Sequence, residues 1–133
     1  MQLIDVYKHP DAYKILWELL KERTPEQSIS HKEMPTWERH CLFIESHPYI
    51  AWYLIQTDQI AGSIYLTHMD EIGIFLFSEC QGKGYGSQAI KMLVGQHPRD
   101  RYLANINPVN SSSADLFRKL GFKHIQDTYS YES

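Results

Sequence analysis

Three glycines alternate with Lys83 and Tyr85 in the hexapeptide QGKGYG, residues 81–86. The apolar run EIGIFLF (71–77) stands before it and SQAIKMLV (87–94) after it. The first run reads as a strand. The second reads as a helix, with Ala89, Ile90, Leu93 and Val94 on its apolar face. Few folds accept this order: a strand must enter a tight glycine turn that opens directly into a helix. Glycine lets the backbone turn sharply and approach a ligand closely. A helix start also presents unfilled N–H groups and the positive end of a dipole, a ready site for phosphate. A glycine turn that only reverses the chain is the competing reading.

Spacing separates the known phosphate loops. G-x-G-x-x-G fails, because counting from Gly82 the third glycine arrives one residue early and Ser87 takes its place. G-x-x-x-x-G-K-[ST] fails as well, because Lys83 precedes Gly84 and no Ser or Thr follows a Gly-Lys pair. The pattern that fits is Q-x-x-G-x-G, made by Gln81, Gly84 and Gly86.

Around this centre the chain alternates between strand and helix signals. LIDVY (3–7) reads as a strand, followed by a helix with Tyr13, Leu16, Trp17 and Leu20 on one face. The segment 21–35 is polar and holds two prolines, which marks a loop. Thr36 is placed to cap a second helix with Trp37, Cys41 and Ile44 as its stripe. YIAWYLIQT (49–57), IAGSIYLTHM (60–69) and EIGIFLF predict a three-stranded meander, and RYLANIN (101–107) a fifth strand. NSSSADLFRKLGF carries a helix that Gly121 stops, and FKHIQDTYSY closes as a last strand. The predicted order β-α-α-β-β-β-α-β-α-β is a mixed α/β (α+β) domain, with residues 1–133 as one unit.

Formal net charge is −3, which disfavours a nucleic-acid-coating role. Apolar runs are too short to span a bilayer. Cys41 and Cys80 have no CxxC spacing, and no signal-peptide pattern opens the chain, so a cytoplasmic protein is expected. His31, His40 and His47 lack tight ligand spacing, so no metal is expected.

A second motif joins the glycine turn. In NPVNSSSADLFRKLGF (107–122) an Asn opens a helix that ends in an aromatic residue, a short spacer and Gly-Phe. Together the two motifs resemble those of the GCN5-related N-acetyltransferases, the GNAT superfamily. The resemblance covers most of the chain. It is specific from about residue 60 to 122 and weak over the first 48. It implies a central, mostly antiparallel sheet of six or seven strands, splayed between the fourth and fifth, with about four helices. It also implies acetyl-CoA as co-substrate, with direct transfer of the acetyl group to a primary amine.

By that resemblance, Gln81, Gly82, Lys83, Gly84, Tyr85 and Gly86 wrap the pyrophosphate of acetyl-CoA. The backbone of Ile74, Phe75 and Leu76 pairs with pantetheine beside a bulge, and the N–H of Leu76 is the oxyanion donor. Glu71 is the candidate base, against the alternative of a solvated strand-end carboxylate; Asp70 and His68 are lesser candidates. Asn110 contacts the cofactor, caps the last helix, or does both. Phe117 stands where many relatives have the Tyr that protonates the thiolate. It can pack against pantetheine but cannot act as an acid, which leaves water, another residue such as Tyr129 or Tyr131, or no specific acid at all. That departure is also the one feature that favours a non-catalytic CoA sensor, and Glu71 argues against it. The acceptor site is expected to draw on His31, Glu33, Trp37, His68 and Asn105, with Trp37 weighed more as a core anchor than as a stacking surface. A small-molecule amine such as an amino sugar or another metabolite is the first candidate; a peptide N-terminus and a modified nucleobase are others. Both monomer and homodimer stay open.

Overall fold

The computed structural model describes residues 1–23, 34–107 and 110–132. Four strands form one antiparallel sheet in sequence order: β1 (Gln2–Asp5), β2 (Ala51–Gln56), β3 (Ile60–Leu66) and β4 (Ile72–Leu76). Four helices cover it: α1 (Ala12–Glu22), α2 (Trp37–Glu45), α3 (Tyr85–Gln96) and α4 (Ser111–Lys119).

Period-2 alternation along the strands creates two cores, one on each face. Ala51, Ile55, Ile64, Leu66 and Ile72 meet Ala89, Ile90 and Leu93 of α3 and Phe117 of α4. On the opposite face Trp52 and Leu54 meet Ala12, Leu16 and Leu19 of α1 and Ile44 of α2. The hairpin at Asp58 and Gln59 is closed by Thr57 N–H donating to the Gln59 carbonyl at 2.8 Å. The one register shift of the β2–β3 pair lies between Ile55 and Gln56.

Several expectations need correction. Among the described residues the sheet has four strands, not six or seven. RYLANIN contributes a single parallel bridge, Glu71 with Leu103, through Ile72 N–H to the Leu103 carbonyl (2.7 Å) and Leu103 N–H to the Asp70 carbonyl (2.9 Å). Beyond Leu103 the chain parts from β4, and a segment that meets no neighbouring backbone forms no ladder. FKHIQDTYSY is not a strand either. Its Ile125, Tyr129 and Tyr131 are exposed, so no sheet face rewards burying them. The expected bulge in β4 is absent: β3 and β4 pair without interruption from Gly62–Leu76 to Leu66–Ile72.

In α2 the buried positions are His40 and Ile44, one residue away from part of the expected stripe. Trp37 is 45% exposed and therefore not a core anchor. Its ring lies edge-on to Trp17, with centroids 5.3 Å apart. His40 ties α2 to α1, with Nε2–H donating to the Tyr13 carbonyl at 2.8 Å. Burial lowers the imidazole's affinity for a proton, and the bond to Tyr13 only partly opposes this. Burial and then Arg99 shift His97 the same way. Unfolding releases both to take up protons near the ordinary histidine value. The unfolded chain therefore binds more protons just below it, and stability falls as pH falls. The melting temperature is expected to drop from about pH 7.5 to 5.5 and to do so less in His40→Gln. Parallel melting curves at both pH values for the two proteins check this.

Candidate active site

Leu76 ends β4, a short 3-10 turn (Ser78–Cys80) follows, and the glycine loop leads into α3. Gly82 and Gly84 adopt φ of +76° and +81°, the left-handed region that favours glycine. No heavy atom lies within 4 Å of where a Cβ would sit at either residue, so the loop's outer surface is open. Gly84 is the N-cap of α3 and supplies no side chain to fill the first-turn donors. Gly86 serves a different purpose. A Cβ there would sit 3.0 Å from Cδ2 of Leu116, with Ile74 and Leu76 at 3.8 Å. It lets the start of α3 settle against β4 and α4. Lys83 is exposed, and Tyr85 packs partly against the core.

β4 presents an open backbone edge beside the loop. Ile72 N–H points away from β3, toward Leu103, whereas Phe77 N–H donates to Ala61 of β3. Alternation then aims the N–H and C=O groups of Ile74 and Leu76 at the gap left by the departing 104–107 segment. Phe75 turns its backbone toward Ser63 of β3 instead. Among the described residues the open edge meets only the Gln81 amide, which donates to the Leu76 carbonyl at 3.4 Å. The side chains of Ile74 and Leu76 pack on the core.

Glu71 stands at the other end of this edge, half-buried. One carboxylate oxygen accepts from the Thr67 hydroxyl at 3.1 Å, and the other accepts from the Asn105 amide. Thr67 Oγ1 also accepts from Glu71 N–H at 3.0 Å. Glu71 is thus aimed by β3's end and by the fifth segment together. Asn105, expected among acceptor residues, orients the carboxylate. His68, the lesser base candidate and expected acceptor residue, is exposed in the turn beyond β3. Asp70, with φ +61°, pairs with Arg99 at 2.9 Å. Thr67 escaped notice because the predicted strand ran through it to Met69. Its position four residues before Glu71, across THMDE, is the signal that marks the turn.

Asn110 caps α4, its Oδ1 accepting from Ser113 N–H at 3.2 Å. Phe117 is 4% exposed. Gly121 N–H donates to Arg118, and Phe122 N–H to Phe117, which closes a Schellman motif. The rings of Phe117 and Phe122 meet edge-on at 5.0 Å. Tyr129 and Tyr131 are 90% and 93% exposed, and neither has a bond to the site. His31 and Glu33 lie outside the described residues. Among the described residues no cluster of three or more His, Cys, Asp or Glu could hold a metal, and no helix is long and apolar enough to cross a membrane.

The family model of the acetyltransferase (GNAT) domain matches residues 3–123. This chain belongs to the GNAT acetyltransferase family. Acetyl-CoA-dependent acetyl transfer goes with it, and the domain is an acyltransferase by descent. No curated protein matches the sequence significantly. Solved structures share the fold. An acetyltransferase from Thermus thermophilus is 19% identical, covering 95% of this chain and 88% of that one, with TM-score 0.69. A ribosomal-protein-alanine N-acetyltransferase from Brucella melitensis is 16% identical, covering 95% and 86%, with TM-score 0.67. A phosphinothricin acetyltransferase from Sinorhizobium meliloti, solved with acetyl-CoA, is 22% identical, covering 92% and 74%, with TM-score 0.65. Their names span protein and small-molecule acceptors, so the GNAT fold alone does not select one.

The open loop makes Gly84 a sensitive position. Gly84→Val places a β-branched residue at positive φ, a strain of about 1–3 kcal/mol. It also fills the surface that phosphate would approach. Acetyl-CoA affinity is expected to fall at least about tenfold, the equivalent of 1.4 kcal/mol. Calorimetry on the folded variant checks this.

Proposed function

We propose that the chain works as one GNAT domain that moves an acetyl group from acetyl-CoA directly to the primary amine of a small molecule. The observation that carries this reading is the open edge of β4, which joins a half-buried carboxylate at Glu71 to an uncapped helix start at Gly84. Bound acetyl-CoA supplies an activated acyl group on sulfur. The backbone N–H groups of Gly84, Tyr85 and Gly86 hold its pyrophosphate, and Lys83 adds positive charge. Ile74 and Leu76 pair with pantetheine as a further strand would, and Asn110 braces the cofactor from α4. Leu76 N–H donates to the thioester oxygen as negative charge grows there. Glu71 accepts a proton from the ammonium, directly or through one water, held in aim by Thr67 and Asn105. No side-chain acid is assigned to the leaving thiolate, and water fills that role.

A cytoplasmic setting fits the free cysteines Cys41 and Cys80, the latter buried. The test incubates the protein with acetyl-CoA and a panel of amines, following free thiol and product mass. Amine-dependent thiol release matched by an acetylated product supports the proposal. Thiol release with no acetylated amine would overturn it.

A further inference from the structure

The α1 side of β4 carries a charged group, Arg23, that the proposed acetyl-CoA contacts do not include. A cleft of about 200 Å³ opens beside the C-terminal end of β4, lined by Leu19, Glu22 and Arg23 of the α1 end together with Phe75, Leu76 and Gln81. It therefore touches Leu76, the proposed thioester donor, from the α1 side. The guanidinium of Arg23 lies flat over the Phe75 ring, 3.7 Å from its centroid. Its Nε is buried without a hydrogen-bond partner. Among the described residues Arg23 has no ion pair. Glu22, the other charged group on this cleft, is occupied by Ser78 N–H, which donates to its carboxylate at 2.8 Å. Tyr49 and Tyr65 stack at 3.9 Å, and Phe75 adjoins Tyr65 on the same face.

A partly buried guanidinium whose Nε is covered and, among the described residues, meets no carboxylate is costly to maintain. Stacking on Phe75 satisfies its face but not the N–H groups along its edge. Burial lowers its proton affinity, and among the described residues Tyr65 and Tyr49 oppose that. Tyr65 lies on the same face of the sheet as Phe75, with ring centroids 6.5 Å apart, so the stacked tyrosines extend the aromatic surface next to the arginine. The arrangement is a cation held on an aromatic ring in a cleft that also reaches Leu76, the proposed thioester donor.

We infer that the acceptor of this domain is a primary amine that also bears an oxyanion, a carboxylate or a phosphate, and that Arg23 is the specificity-determining residue that binds it. The inference rests on the acetyltransferase reading and names its substrate class. The anion completes the guanidinium edge by charge-assisted hydrogen bonds, while the amine reaches toward Leu76, which lines the same cleft.

Matched acceptors test this: amino acids against their amides, and aminoethyl phosphate against ethanolamine. They are assayed with the wild-type protein, Arg23→Met and Arg23→Lys. In the wild type the anionic member of at least one pair is expected to have the higher kcat/KM by about 10- to 100-fold, the worth of a hydrogen bond to a charged group. The preference should reside in KM, approach unity in Arg23→Met and return in part in Arg23→Lys. The amino-acid and phosphate arms identify which oxyanion is bound. Thermal shifts with the same pairs, in the presence of CoA, give a readout that needs no turnover. Stabilisation by the anionic member alone, lost in Arg23→Met, supports the inference even if acetyl transfer itself fails. An equal response to both members in the wild type would overturn it. So would a preference that survives in Arg23→Met, or an acetyl-CoA affinity that falls tenfold in Arg23→Met with no acceptor discrimination, which would assign Arg23 to the cofactor.

Discussion

Replacing Glu71 with Gln is expected to lower kcat by about two to four decades, the range for losing a positioned general base. An ammonium is no nucleophile until it loses its proton, and Glu71 is the carboxylate at the mouth of the open β4 edge. Gln keeps the shape and can still accept from the Thr67 hydroxyl, so the fold should survive. The rate limb that rises with pH in the wild type should shift or vanish in the variant. A pH–rate series on both proteins, with melting curves as the control, measures this. Wild-type kcat in Glu71→Gln across the series would move proton acceptance to water.

Phe117→Ala is expected to cost about 3–5 kcal/mol of stability, the range for emptying a core aromatic site. Two losses coincide there. The ring belongs to the core formed with α3, and it is also the hydrophobic contact that locks the Schellman motif through Phe122. Urea melts of the variant check the magnitude. Phe117→Tyr should restore no acid. Its hydroxyl would enter a site that is 4% exposed, where an unpaired donor costs about 1–3 kcal/mol. A faster Phe117→Tyr enzyme with unchanged stability would place this ring beside the sulfur instead.

Local signals served well where local physics decides. The glycine turn, the Thr36 and Asn110 caps, the Gly121 stop and the meander from Ala51 to Leu76 were all legible, because each follows from residues a few positions apart. The failures lie where a distant partner decides. RYLANIN has strand-like residues, but only Leu103 finds a neighbouring backbone. The stripe on α2 looked like Trp37, Cys41 and Ile44, yet the Tyr13 carbonyl on α1 draws His40 inward and leaves Trp37 at the rim. In the candidate site, the glycine loop was marked by its spacing and Glu71 by the family resemblance, and the structure sets Glu71 beside Thr67 and Asn105. Asn105 as an orienting partner of Glu71, and Arg23 with Tyr49 and Tyr65, could not, because their partners lie far away in sequence, whereas Thr67 was hidden by the over-long strand predicted through it.

The open edge of β4 offers main-chain atoms and keeps its side chains inward. The part of the proposed chemistry that aligns the thioester is therefore indifferent to which aliphatic residue occupies Ile74 or Leu76, so long as the core stays filled. Substitution can accumulate along this strand by trading one hydrocarbon for another while the grip on the acyl donor persists. A lineage built this way can drift far in its letters and keep its handling of the donor. Residue-by-residue comparison then registers kinship least where shared geometry matters most, and new acceptor preferences can arise on the α1 face without rebuilding the donor side.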